Sequence, residues 1–158
     1  MIHYRRYARE WTMQFLFQYD IKEFNCSDDA VKMFSDQLRE TELYELPEKS
    51  VLKKAYKESI KLISGILEDG TGDIDKLISE YSSKWSIDRM DTVDRNIMRV
   101  AVYEMLHCDN VPPIVSINEA VEIGKKYGSL NTPSFINGVL NSIKNTLDRP
   151  ARKAVEEE

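Results

Sequence analysis

The stretch that most restricts this chain is Met90–Leu106. From Ile97 to Leu106 only Arg99 and Glu104 carry charge, so a helix laid over these residues is apolar around nearly its whole circumference. Such a helix is stable when other helices surround it, and it is read as the central strut of a helical bundle. Its one strongly polar stripe is Asp91, Arg95 and Arg99, spaced four apart and so on one side of the helix. Two readings of the stripe stand: an ion-paired seam at a helix end or junction, or a surface where Arg99 meets a ligand.

The remaining sequence agrees with a helical fold. Six Gly and five Pro in 158 residues leave long stretches rich in Lys, Glu, Leu, Ile and Ala. At ~100° per residue, Tyr4, Ala8, Trp11, Phe15 and Tyr19 form the core stripe of a first helix over Tyr4–Ile21. Arg5, Arg6, Arg9, Met13 and Phe17 fall on the arc away from it. Ser27 caps a second helix with Val31, Phe34 and Leu38 inward. The acidic segment Glu40–Pro47 interrupts, and a third helix follows over Glu48–Glu68 with Leu52, Ala55, Ile60, Ile63 and Leu67 as core candidates. The glycine-bearing turn from Asp69 to Asp73 lacks the GxxxxGK[ST] pattern of a phosphate loop. It reads as a helix–helix turn in which Asp73 caps a fourth helix over Ile74–Ser83.

Trp85–Met90 is then a hinge, with Trp85 plugging the junction of two halves because a large aromatic needs that cover. Beyond the central helix, Pro112 and Pro113 stop the chain. Ser116 to Glu119 matches a capping box opening a sixth helix, which ends at Tyr127 with Gly128 as a left-handed stop. Thr132 caps a seventh with Pro133 in its first turn. Gly138, inside that helix, implies a close helix crossing or a close ligand. The charged tail, residues 149–158, is frayed. No strand alternation or long-period repeat is found. The expectation is an all-α fold of about seven helices, one domain over residues 1–148 in two small bundles, about 1–82 and 83–148.

Composition bears on function mainly by exclusion. No apolar run approaches the ~20 residues that cross a bilayer, and the start of the chain is aromatic and Arg-rich, which points to a cytoplasmic protein without membrane attachment. Cys26 and Cys108 are far apart, as reduced packing thiols would be. His3 and His107 are the only histidines and show no metal-ligand spacing, nor does either sit in a motif that positions a nucleophile. No catalytic, metal or cofactor role is expected. The net charge is −5, yet residues 1–10 sum to +2, leaving −7 for the rest. Three arginines at a helix start oppose the macrodipole, each costing roughly 0.3–1 kcal/mol when exposed. A cluster that costs stability is explained by a polyanionic partner, or by solvated chain and acidic loops nearby.

Five ordered blocks carry a family resemblance: residues 5–10 (RRYARE), 85–99 (WSIDRMDTVDRNIMR), Tyr103–Glu104, 117–128 (INEAVEIGKKYG) and 135–140 (FINGVL). Together they resemble the NusB family of bacterial transcription antitermination factors. The resemblance implies two three-helix sub-bundles sharing one core, and binding to the single-stranded boxA element of ribosomal RNA leader transcripts jointly with the ribosomal protein NusE. Through NusE and other Nus factors such a protein joins RNA polymerase and keeps rRNA synthesis processive. Position by position, it implies RNA contacts at Arg5, Arg6, Arg9, Arg99, Lys126, Tyr127 and Phe135, with core packing as the other reading of Phe135. Tyr7 replaces a further basic residue of some relatives. Phe17 and Asp94 fall on the side implied to meet NusE, and Met13 shares the outward arc of Phe17. The rival classes are a helical protein-interaction module, a homodimer that hides the basic arm, and an RNA-targeting domain related to that of rRNA cytosine methyltransferases.

Overall fold

The computed structural model describes residues 4–22, 27–41, 49–69, 71–82 and 85–150. The chain divides into two compact units, Met1–Asp69 and Gly70–Glu158. Seven α-helices and one short 3₁₀ turn occur among the described residues.

The first unit holds α1 (Tyr4–Ile21), α2 (Ser27–Thr41) and α3 (Lys49–Asp69). α1 has the bounds that its periodicity predicts, and α1 packs chiefly along α3. Ala8, Trp11 and Phe15 of its inward stripe are buried, as are Ala30, Phe34 and Leu38 of α2. On α3 the buried set is Ala55, Leu62, Ile63 and Ile66, while Leu52, Ile60 and Leu67 are only half-buried. The inward line is thus shifted from the one expected. The side chains of Ser35 and Tyr56 share a 2.8 Å hydrogen bond that ties α2 to α3. The acidic interruption beyond Thr41 and the side chain of Ser27 lie outside the described residues.

The second unit holds α4 (Gly72–Tyr81), the 3₁₀ turn Ile87–Arg89, α5 (Thr92–His107), α6 (Pro113–Tyr127) and α7 (Thr132–Lys144). α5 is the strut expected of it. Asp94, the run from Asn96 to Val102, Glu104 and Met105 are all buried, and α4, α6 and α7 each pack against it. Asp91 caps it, its Oδ1 accepting the Val93 N–H at 2.8 Å, which satisfies one of the orphan donors of the first turn. α4 belongs to this unit, so the division between bundles falls near residue 70 instead of 82. Ile74 and Ile78 on its buried face, together with the ion pair described below, draw it to α5.

Several local expectations are corrected. α4 begins two residues early, with Asp73 and Asp75 in its first turn and Thr71 at the N-cap. α6 begins at Pro113, so Ser116 is no cap and its buried hydroxyl finds no hydrogen-bond partner. Proline wins because its fixed φ and missing N–H suit the first helical position. Gly128 is extended (φ −89°, ψ −175°), not left-handed. It is glycine for want of space, since a Cβ there would lie 2.5 Å from Thr132 Cβ. Gly138 faces open space with nothing within 4 Å, so no close crossing explains it. Trp85 is 53% exposed and is no plug.

Arg149 is not frayed. Its Nη1 donates to Met105 O at 2.9 Å and Cys108 O at 3.4 Å, and its Nη2 to Asp109 O at 3.2 Å and Val111 O at 2.8 Å. It finishes the carbonyl end of α5 and the following turn. Residues 151–158 lie outside the described part. No helix among the described residues is long and apolar enough to cross a membrane, and none of their His, Cys, Asp and Glu side chains group in threes to hold a metal.

Candidate nucleic-acid interface

In the first unit the basic start of α1 is surface only in part. Arg5 and Arg6 are half-buried, with the Arg5 guanidinium 5.8 Å from the Tyr4 ring centroid. Every residue from Ala8 to Met13 is buried, so over this middle stretch α1 is enclosed all round and has no outer arc. This corrects two expectations. Arg9, 6% exposed, is an enclosed cation with interactions inside the protein. Met13, 3% exposed, packs in the core and not on an outward arc. Phe17, one turn on, is half-buried and remains within reach of a partner. Tyr19, expected in the core, is exposed and stacks on Phe15 at 5.6 Å.

In the second unit Arg99 is corrected from ligand contact to internal tie. Its Nε and Nη2 each donate at 2.8 Å to the two oxygens of Asp75 on α4, and its Nη1 donates at 2.9 Å to Asn96 Oδ1. The residue is 7% exposed. A parallel two-bond pair of this kind matches the guanidinium fork to a carboxylate, leaving little of it for a partner. The ion-pair reading of the stripe therefore holds for Arg99, with its partner on another helix.

Asp94, expected on the NusE side, is 8% exposed and accepts the Thr132 hydroxyl proton at 2.7 Å. The same Thr132 oxygen accepts the Ser129 N–H at 2.9 Å, so one hydroxyl joins α5, α7 and the loop that enters α7. Burial pushes the Asp94 carboxyl above its ordinary 3.8; the Thr132 hydrogen bond pulls it down, and the charge of Asp91 adds to the rise. With the folded state holding this proton more tightly than the unfolded, stability falls as pH rises above 3.8 through the raised value. Asp94→Asn keeps an acceptor for Thr132 and buries no charge. Its thermal midpoint at pH 7 is expected to equal or exceed that of the parent, the gain vanishing at pH values below the ordinary carboxylate range; a lower midpoint at pH 7 refutes this.

Asp94 also reaches a surface groove of 320 Å³ lined by Trp85, Arg89, Met90, Asp91, Asn131 and Phe135. The groove brings together Phe135, an expected RNA contact, and Asp94, an expected protein contact. Phe135 is half-buried, open to the groove, so neither of its two readings is complete alone. Ser129 to Asn131 form the turn that sets Asn131 and Phe135 at the start of α7, and Gly124 and Gly128 let that start approach α6 closely. Sequence reasoning missed Trp85, Arg89 and Asn131 as groove residues; an aromatic four residues before an arginine was the available signal. At the end of α6, Lys126 is exposed with its ammonium 5.0 Å from the Tyr127 ring centroid, a cation–π distance.

The fold and these surfaces define an all-α protein of two helical units, with arginines at its first helix and an aromatic-walled groove beside its most buried one. The NusB family model matches residues 6–145. The transcription antitermination protein NusB of Desulfosudis oleivorans is 41% identical over 143 residues, spanning 90% of this chain and 86% of its own. That of Desulfotalea psychrophila is 41% identical over 141 residues, spanning 89% and 94%. Among solved structures, T. maritima NusB superposes with a TM-score of 0.69 at 35% identity, covering 90% of this chain and 91% of its own. A chain from a crystal structure of antitermination factors NusB and NusE in complex with dsRNA gives 0.74 at 26% identity, covering 93% and 100%. The chain belongs to the NusB family.

Proposed function

We propose that this chain is a non-catalytic, cytoplasmic RNA-binding adaptor of transcription antitermination. It holds the boxA element of ribosomal RNA leader transcripts together with NusE, and through NusE and other Nus factors joins RNA polymerase to keep rRNA synthesis processive. One observation carries the reading: the groove holding Phe135 lies on a chain that superposes over nearly all its length on a NusB crystallised with NusE and RNA. In this reading Arg5, Arg6 and Lys126 meet phosphates, Tyr127 and Phe135 offer faces to unpaired bases, and Phe17 touches NusE. Arg9, Arg99 and Asp94 serve by holding the units in shape.

The test is a mobility shift of a boxA single strand, with a duplex competitor, in the presence and absence of NusE. Three or four phosphate contacts give a log–log salt slope of roughly −2 to −3 for a single strand. Arg6→Glu is expected to weaken binding about tenfold or more and to flatten that slope by about one. No shift under any condition, or a shift indifferent to salt, overturns the reading in favour of a protein-interaction module.

A further inference from the structure

The exposed indole of Trp85 is unexplained by the fold. Tryptophan is highly buried on average, and this one leaves 53% of its surface in water. Its backbone is nonetheless fixed. Ser82, itself 5% exposed, donates its hydroxyl to Trp85 O at 2.8 Å, so the end of α4 holds the segment at the mouth of the groove. Four residues on, Arg89 is exposed and lines the same groove; its backbone N–H donates to Ser86 O at 3.0 Å, while its guanidinium makes no hydrogen bond or ion pair among the described residues. A second aromatic, Phe135, lines it as well, and Asp91 and Asn131 supply polar groups at its edge.

We infer that Trp85 and Arg89 form a nucleotide-binding element of this chain: the indole stacks on an unpaired base seated in the groove beside Phe135, and Arg89 meets the adjoining phosphate. This rests on the RNA-binding reading above and names residues within it. The groove's 320 Å³ is at the small end of the roughly 300–1,000 Å³ of small-ligand clefts, enough for one base and not for an apolar helix. The mix of faces is the one single-stranded nucleic acid needs, with aromatic planes for bases and a cation for the backbone. Asp91, exposed at the rim, accepts hydrogen bonds. It therefore favours a base edge that presents an amino group.

The test uses the full chain with NusE and a fluorescently labelled boxA single strand, read by anisotropy over a salt series. Trp85→Ala is expected to weaken binding roughly 5- to 150-fold, the range for loss of one base–aromatic stack, with the salt slope unchanged. Trp85→Phe retains most of the affinity because a stacking face remains. Arg89→Ala weakens binding and flattens the slope by about one. Thermal midpoints of all three variants match the parent, since both side chains are exposed.

If the parent binds RNA and Trp85→Ala binds equally well, this inference is overturned while the adaptor function stands. If the parent binds no RNA, both are overturned. A Trp85→Ala variant that keeps RNA but loses NusE assigns the groove to the protein partner, and also overturns it.

Discussion

Arg99→Ala is expected to destabilise the second unit by about 3–5 kcal/mol, the cost of removing one partner from a buried ion pair. The Arg99 side chain is 9% exposed and that of Asp75 18%, so truncating the arginine strands a carboxylate in poor contact with water. It also leaves Asn96 Oδ1 without its 2.9 Å donor. Arg99→Lys does not restore the loss, because an ammonium cannot make two parallel bonds to Asp75 and a third to Asn96. Asp75→Ala strands the opposite charge and costs a similar amount. The double variant costs far less than the two singles added together. Urea unfolding followed by far-ultraviolet circular dichroism measures all four proteins, and a loss below about 1 kcal/mol for Arg99→Ala would mean that the pair is worth no more than a surface contact.

The second large effect is in the first unit. Phe15→Ala is expected to cost about 3–5 kcal/mol, the range for deleting a buried aromatic. Phe15 is 2% exposed and meets Phe34 of α2 edge-on at 5.5 Å and Tyr19 in a stack at 5.6 Å. Its removal opens a cavity where α1 joins α2 and strips a partner from each of two rings. Phe15→Leu fills much of that space and recovers most of the loss. The emission of Trp11, 3% exposed on the same helix, reports the unfolding of this unit in denaturant. Equal midpoints for Phe15→Ala and the parent would show that the site collapses without cost.

How far the sequence could be read depends on whether a feature is local. α1 was legible to the residue because one helical period runs unbroken between its ends. α5 was legible as a buried strut because almost nothing polar lies along it. Helix starts were misread where two local signals competed, as at Pro113 and Ser116.

Charged side chains were the hardest to place. The periodicity of α1 puts Arg5, Arg6 and Arg9 together, but the last is enclosed and the others are half-open. Arg99 found its carboxylate 24 residues away on another helix, a distance that no helical spacing rule reaches. Met13 was misjudged because α1 has no outward side at its middle. Trp85 and Arg89 were seen in the sequence as a hinge; only the placement of residues 85–90 shows that they rim a groove with Phe135.

The guanidinium of Arg149 reaches back to carbonyls 38 to 44 residues earlier in the chain. On the ribosome, then, the carboxyl end of α5 is synthesised long before the side chain that completes it. Until residue 149 emerges, those oxygens lack the guanidinium donor, and of the four Cys108 O has the Val111 N–H at 3.0 Å within its own turn. The contacts that finish this end of α5 are accordingly made late, and a nascent chain stopped short of Arg149 stays more open to proteases than the finished one.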